Sequence, residues 1–230
     1  MRPNVPRPVK YHSAFDIIGP VMVGPSSSHT AGALRIARMA RKLLGQDPTA
    51  VVFELMGSFA ETYRGHGTDQ ALTAGILGFA TDDSRIPRAL EMAKALGISV
   101  VFTKVSGALY HPNTVRIKLT DGVDDVDIVG TSLGGGKIEL IEIDAFPVHL
   151  SGDRPAVVLW HKDRAGFLAA VLAAVANVGV NVGQLSLERS RKDGDALVAI
   201  EFDGACTVEL LDALDGVHQA VQKIRWIKPV

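Results

Sequence analysis

The chain has 230 residues, with 24 Lys and Arg against 25 Asp and Glu and a formal net charge of −1. That balance offers no global field to nucleic acid or to an acidic membrane surface, and no apolar run is long enough to span a bilayer. A hydrophobic content of 47% suits a chain with a real core, while the single cysteine, Cys206, excludes both an internal disulfide framework and a thiolate-ligated metal cluster held by this chain alone.

The first eight residues are basic and proline-rich, and no apolar segment follows them, so they read as a loose tail and point to the cytoplasm rather than to export. Residues 13–18 read as a short helix or turn closed by Gly19-Pro20. Gly24-Pro25-Ser26-Ser27-Ser28-His29-Thr30 then opens a helix over 31–44, whose apolar face is Leu34, Ala37, Ala40, Leu43 and Leu44. Arg35, Arg38, Arg41 and Lys42 take a solvated or partner-facing side, and Gly45 stops the helix. The spacing predicts a strand over 51–56, a helix over 68–79 capped by Thr68, a helix over 87–96 with Pro at its start, and a strand over 98–103. Further strands are expected over 114–119, 126–132 and 137–144. Gly134-Gly135-Gly136 lies between the last two, as a hairpin turn or a point of close backbone approach.

Residues 151–155 read as a linker. Beyond it come a strand (156–160), an apolar helix (165–178), strands at 180–189 and 196–202, a helix (207–214) and a strand (221–227). This βαββαβ order is the ferredoxin-like arrangement. The expected fold is α/β in the α+β sense, with one domain over 1–152 and a second over 153–230.

The residues that carry chemistry cluster in turns. A helix start offers unpaired N–H groups and the positive end of its dipole, and short hydroxyls add donors, so the serine-rich turn reads as an anion cradle or as an N-cap with spare serines. Gly65-His66-Gly67-Thr68-Asp69 places an unshielded imidazole before another helix, where it reads as a proton-transfer group or as a loop histidine tied to a carbonyl. Asp69 would orient a histidine or cap its own helix. His111-Pro112-Asn113-Thr114 holds a third histidine in a stiffened turn, as a pocket wall or a surface turn. His12, His149 and His218 have no supporting neighbours in the sequence. The dinucleotide and phosphate-loop fingerprints and the strand–nucleophile–helix elbow are missing.

In this order, the motifs resemble the β chain of the two-subunit, iron–sulfur-dependent L-serine dehydratases. The likeness runs from about residue 13 to the C-terminus. The first part is similar to the allosteric-substrate-binding domain also found in some phosphoglycerate dehydrogenases, and the second resembles an ACT domain. The resemblance implies β-elimination of L-serine to pyruvate and ammonia at a [4Fe–4S] cluster whose open iron acts as Lewis acid. The cluster ligands would lie on a partner α chain, with no metal ligand in this chain. The assembly would be a hetero-oligomer or a homodimer through this chain. By the same resemblance, Ser26, Ser27, Ser28, His29, Thr30, Gly67 and Thr68 would bind substrate, while His66, Asp69, His111 and Asn113 would serve catalysis. Which group takes the α-proton stays open. The turn with His161, Asp163 and Gly166 would be an effector site, with Asp163 in place of the Asn of serine-binding relatives; a purely structural role is the alternative. The rival reading of the whole chain is a non-catalytic amino-acid- or anion-binding regulatory module like that of phosphoglycerate dehydrogenases.

Overall fold

The computed structural model of the chain describes residues 19–106, 111–205 and 207–230. The short helix expected over 13–18, His12 and Cys206 lie outside them.

A π-helical turn over Ser27–Gly32 runs straight into α1 (Ala33–Leu44). The apolar stripe expected for this helix is buried: Leu34, Ala37, Ala40, Leu43 and Leu44, joined by Ile36 and Met39, face the core. β1 (Ala50–Gly57) follows, and then comes a short helix that periodicity does not reveal, α2 (Ser58–Thr62). α3 spans Thr68–Ile76. A 3-10 turn over Ile86–Arg88 holds the expected Pro87 and leads into α4 (Ala89–Ala95), and β2 covers Ser99–Val105. Thr68 is the first helical residue rather than the cap. Gly67 takes the cap position in the left-handed region with φ 66°, and no side chain closes that helix start.

β3 (Asn113–Thr120), β4 (Asp125–Gly134), β5 (Lys137–Ile143) and β6 (Phe146–Leu150) complete a six-stranded sheet in the order β2-β1-β3-β4-β5-β6. β1 and β2 are parallel, with α2, α3 and α4 in the crossover, and the other pairs are antiparallel. β6 has no counterpart in the sequence reading, because it is five residues long and contains Pro147.

The second half is β7 (Ala156–Lys162), α5 (Phe167–Asn177), β8 (Asn181–Arg189), β9 (Asp195–Asp203), α6 (Val208–Leu214) and β10 (Val221–Ile227). Its sheet runs β10-β7-β9-β8, all antiparallel, which is the ferredoxin-like topology expected from the element order. The α+β fold class therefore holds.

The segment between the sheets is pinned. The buried Glu201 carboxylate accepts from the Ser151 backbone N–H at 2.6 Å and from its hydroxyl at 2.8 Å. Trp160 Nε1 donates to Asp144 at 2.8 Å, and Arg35 donates to the Val230 carbonyl at 3.0 Å. One face of the second sheet, with Val158, Leu197, Ala199 and Ile227, shares a core with Leu140, Val148 and Leu150 of the first. Its other face packs on α5 and α6 through Phe167, Val171, Val175, Leu210 and Leu214. Among the described residues no helix is long and apolar enough to cross a membrane.

Candidate functional site

The strand–helix junction at the end of β1 organises the site. Gly57 sits at φ 57°, ψ −131°, and a Cβ there would lie 2.4 Å from the Pro112 carbonyl oxygen. Only glycine fits such a corner without strain. The close approach lets the Ser58 N–H donate to that carbonyl at 2.7 Å and sets Gly57 opposite Asn113 in the β1–β3 register. The His111-Pro112-Asn113 turn is thereby clamped to the first residue of α2. Within it, the Asn113 N–H donates to His111 Nδ1 at 3.2 Å, which places the proton of the neutral ring on Nε2. The Thr114 hydroxyl donates to the His111 carbonyl.

Ser58 is the pivot. Its hydroxyl lies 3.0 Å from His29 Nε2. The half-buried His29 ring rests edge-on against buried Phe59 at 5.2 Å between centroids and lies tilted beside the His66 ring at 4.9 Å. His66 ends the turn that follows α2: its N–H donates to the Thr62 carbonyl at 3.1 Å, and its ring is exposed. Burial, the nearby His66 charge and the Ser58 bond set the His29 pKa; the first two dominate and lower it. His29 is accordingly a neutral acceptor or donor at pH 7, and the open His66 ring stands beside it.

The serine turn is built as a cap as well as a surface. The Ser26 hydroxyl accepts from the His29 N–H at 3.2 Å, and the Ser26 carbonyl accepts from the Thr30 N–H at 2.8 Å. Ser27 and Ser28 stay half-exposed at the start of the helix. Thr30 is turned inward: it is buried, and its hydroxyl donates to the His66 carbonyl at 3.3 Å, tying the two histidine turns together. The floor under the turn is β4, where Ser132 Oγ lies 2.0 Å from where a Cβ on Gly32 would stand. The hydroxyls of Ser132 and Thr68 are both buried without a hydrogen-bond partner. Gly134-Gly135-Gly136 makes the β4–β5 hairpin and also packs against Gly19 and Pro20, so both expectations for it describe the same turn.

Asp69 is half-buried at the start of α3 and accepts from the Gln70 N–H at 2.9 Å; burial raises its pKa. One carboxylate oxygen, Oδ1, is bonded at its own helix start. The structure thus gathers Ser26, Ser27, Ser28, His29, Thr30, His66, Gly67, Thr68, His111 and Asn113 around one junction, and it adds Ser58 and Phe59, which the sequence reading passes over. The available signal was Gly57-Ser58 directly after an apolar strand.

At the second expected site one residue is buried and one is paired. His161 is buried, stacked flat on Phe167 at 3.6 Å, with Nδ1 against the Lys162 carbonyl at 2.9 Å and Nε2 unpartnered. Asp163 accepts from Arg189 at 2.7 Å and from the Asp193 N–H at 3.2 Å, which hold its pKa down. Gly166 is exposed in the left-handed region at φ 85° and begins α5. His149 pairs with Glu139 at 2.8 Å, and His218 Nδ1 accepts from the Ala220 N–H at 3.0 Å.

The family model for the serine dehydratase beta chain matches residues 13–98, which hold the His29 and His66 turns. The chain is 44% identical to a probable L-serine dehydratase beta chain of Bacillus subtilis, over 93% of this chain and 97% of that one. It is 36% identical to an L-serine dehydratase beta chain of Peptoniphilus asaccharolyticus, over 90% of this chain and 95% of the relative. A D-3-phosphoglycerate dehydrogenase of Synechocystis is 24% identical over 76% of this chain, a stretch that makes up 30% of that enzyme.

Proposed function

The chain belongs to the family of serine dehydratase β chains, and on that premise we propose that it is the β subunit of a cytoplasmic lyase that converts L-serine to pyruvate and ammonia. The reaction removes the α-proton and the β-hydroxyl as water; the resulting aminoacrylate tautomerises and is hydrolysed. The observation that supports a role in this chemistry is the pairing of His29 and His66, ring beside ring at 4.9 Å, with Ser58 bonded to the inner one.

In this reading the helix start at Ser27 and Ser28 receives the substrate carboxylate, where the free N–H groups and the dipole of the continuous turn and α1 favour an anion. Exposed His66 exchanges the proton. Half-buried His29, kept neutral by its surroundings, positions the Ser58 hydroxyl and the His66 ring. His111 and Asn113 form the opposite wall. Thr30 is a support, its hydroxyl spent on the His66 carbonyl, and Asp69, with Oδ1 bonded at its own helix start, keeps its second carboxylate oxygen for the site.

This chain's donor set does not fit an iron–sulfur cluster. The sequence has one cysteine, and among the described residues no three His, Cys, Asp or Glu side chains are grouped to hold a metal. The [4Fe–4S] group is assigned to a partner α chain. The exposure of His66 suits a site that a second chain completes. Residues 1–152 would form the catalytic domain, and 153–230 an ACT domain with a structural rather than effector-binding role, given the filled turn around Asp163.

The test is reconstitution. The purified chain is mixed anaerobically with the separately purified cluster-bearing chain, and pyruvate formed from L-serine is measured. Turnover that requires both chains is expected; full turnover by the partner alone would refute the assignment.

A further inference from the structure

The far end of α1 carries charge that the His29 site does not use. Arg35 is engaged with the Val230 and Gly136 carbonyls and with Asp153 at 2.5 Å. Arg41 donates to the Ile76 carbonyl at 2.6 Å and pairs with Asp47. Arg38 and Lys42 remain. They stand one helical turn apart, and neither they nor Lys228 at the chain's end forms an ion pair among the described residues. The neighbouring acid Asp124 is taken by Arg225 at 2.8 Å and Lys223 at 3.1 Å.

Unpaired cations that are half out of water carry a cost, because burial disfavours charge and like charges at i,i+4 repel. Burial does lower the pKa of both Arg38 and Lys42, and Arg38 and Lys228 push Lys42 further the same way. One acid, Asp47, stands in the wall they share, and it is paired with Arg41, so among the described residues no carboxylate is left to pair with Arg38, Lys42 or Lys228. The cations line a cleft of about 550 Å³, with Arg41, its partner Asp47, Gln46 and Trp226 also in the wall. That volume is in the range of small-ligand sites. The cleft lies where α1 of the first half meets β10 of the second.

We propose that this cleft binds a small polyanion carrying a di- or triphosphate group. The guanidinium of Arg38 matches phosphoryl oxygens as a planar fork, while Lys42 and Lys228 add point charges from two sides. Three unneutralised cations call for more charge than a single carboxylate brings. Trp226 also lines the cleft, and the phosphate chain comes either free or as part of a nucleotide. Bound there, it ties α1 to β10 and stabilises the junction of the two halves. The inference is independent of the role given to His66, and its test involves no turnover.

The full chain is titrated by calorimetry at constant ionic strength with orthophosphate, inorganic tripolyphosphate, ATP without magnesium, and polyglutamate. The expected result is saturable binding of tripolyphosphate at least tenfold tighter than orthophosphate. The double variant Arg38→Gln/Lys42→Gln is expected to weaken it at least tenfold. Lys228→Gln, at an exposed position, is expected to weaken it several-fold with an unchanged melting temperature. ATP binding more tightly than tripolyphosphate assigns the nucleotide, and equal affinity assigns the phosphate chain alone. The proposal is overturned by absence of saturable binding, by equal affinity in wild type and Lys228→Gln, or by polyglutamate binding that tripolyphosphate does not displace. The last of these would mark the cleft as a surface for an acidic protein segment.

Discussion

In two places in this molecule a histidine whose pKa burial lowers stands close to a helix start, yet one place is open and the other is filled. At His29 the neighbours are a second imidazole, a serine hydroxyl, two half-exposed serines and an edge-on phenylalanine, Phe59. At His161 the neighbours are a flat-stacked phenylalanine and a carboxylate already bonded to Arg189 and the Asp193 N–H. The difference shows what turns a histidine near a helix start into a candidate for chemistry. Burial alone does not do so. It takes an accessible surface: His161 keeps an unpartnered Nε2, but the ring is buried under Phe167, whereas His29 and Ser58 stand beside the exposed His66 ring. Where the imidazole is covered in that way, the same residue types make a joint.

Substitution of the histidines should separate the turns most strongly. His66→Ala in the reconstituted complex is expected to lower kcat by about 10²–10⁴-fold, the usual worth of a proton-transfer group, with the melting temperature nearly unchanged because the ring is exposed. His161→Ala should do the reverse: turnover per folded molecule is kept, while stability falls by about 2–4 kcal/mol from the lost stack and the cavity left in the core. Steady-state pyruvate assays and urea unfolding of both variants read this directly. If His66→Ala kept full turnover, proton transfer would lie elsewhere.

Next in size is the corner that holds the open site together. Gly57→Ala places a Cβ 2.4 Å from the Pro112 oxygen at a backbone angle that side chains avoid. About 1–3 kcal/mol of strain is expected, together with displacement of the His111 turn. Turnover should fall more than stability predicts, because Ser58 moves with Gly57. Gly166→Ala also meets a positive φ but has open space around its Cβ, so it should cost stability alone. Chemical denaturation and kinetics on the two alanine variants test the contrast.

Much of this was legible in the sequence, for identifiable reasons. The α1 stripe and the alternation in β3 and β5 are periodic over enough residues to declare their elements. The second half follows strand–helix–strand order closely enough to give its topology. α2 and β6 are only five residues each, shorter than one reliable period, and they were invisible. With α2 went Ser58, because a glycine and serine after an apolar strand mark a corner but give the serine no role until the fold puts His29 against it. The inward turn of Thr30 and the pairing of Asp163 with Arg189 are long-range facts of the same kind. Spacing places residues at the ends of elements, but it does not say which of their polar atoms the rest of the chain will claim.

A smaller effect is expected from Ser58→Ala. The variant removes the hydroxyl at His29 Nε2 while sparing the Ser58 backbone bond to Pro112. A loss of about tenfold in kcat, on the order of 1.4 kcal/mol, fits a positioning bond rather than a reacting group. Ser58→Thr, which keeps the hydroxyl, should recover most of it. A pH–rate profile that shifts in Ser58→Ala and returns in Ser58→Thr would separate positioning of His29 from mere packing.

The finest comparison is between the two lowered histidines themselves. For both, the folded pKa lies below the ordinary 6.5, so each contributes stability that is whole above that pH and is lost as pH falls through its lowered value. Their causes differ. His29 is held down by burial and then by the adjacent His66, whereas His161 is held down by burial against the opposing pull of the Lys162 carbonyl and Asp163. Replacing His66 with Gln removes a like charge from one of them only. The NMR titration midpoint of His29 should therefore rise toward 6.5 in His66→Gln while that of His161 stays where it was. A His29 midpoint that did not move would mean that its ring does not feel its neighbour. The two imidazoles would then be side by side without being coupled, and His29 would be no more than a second His161.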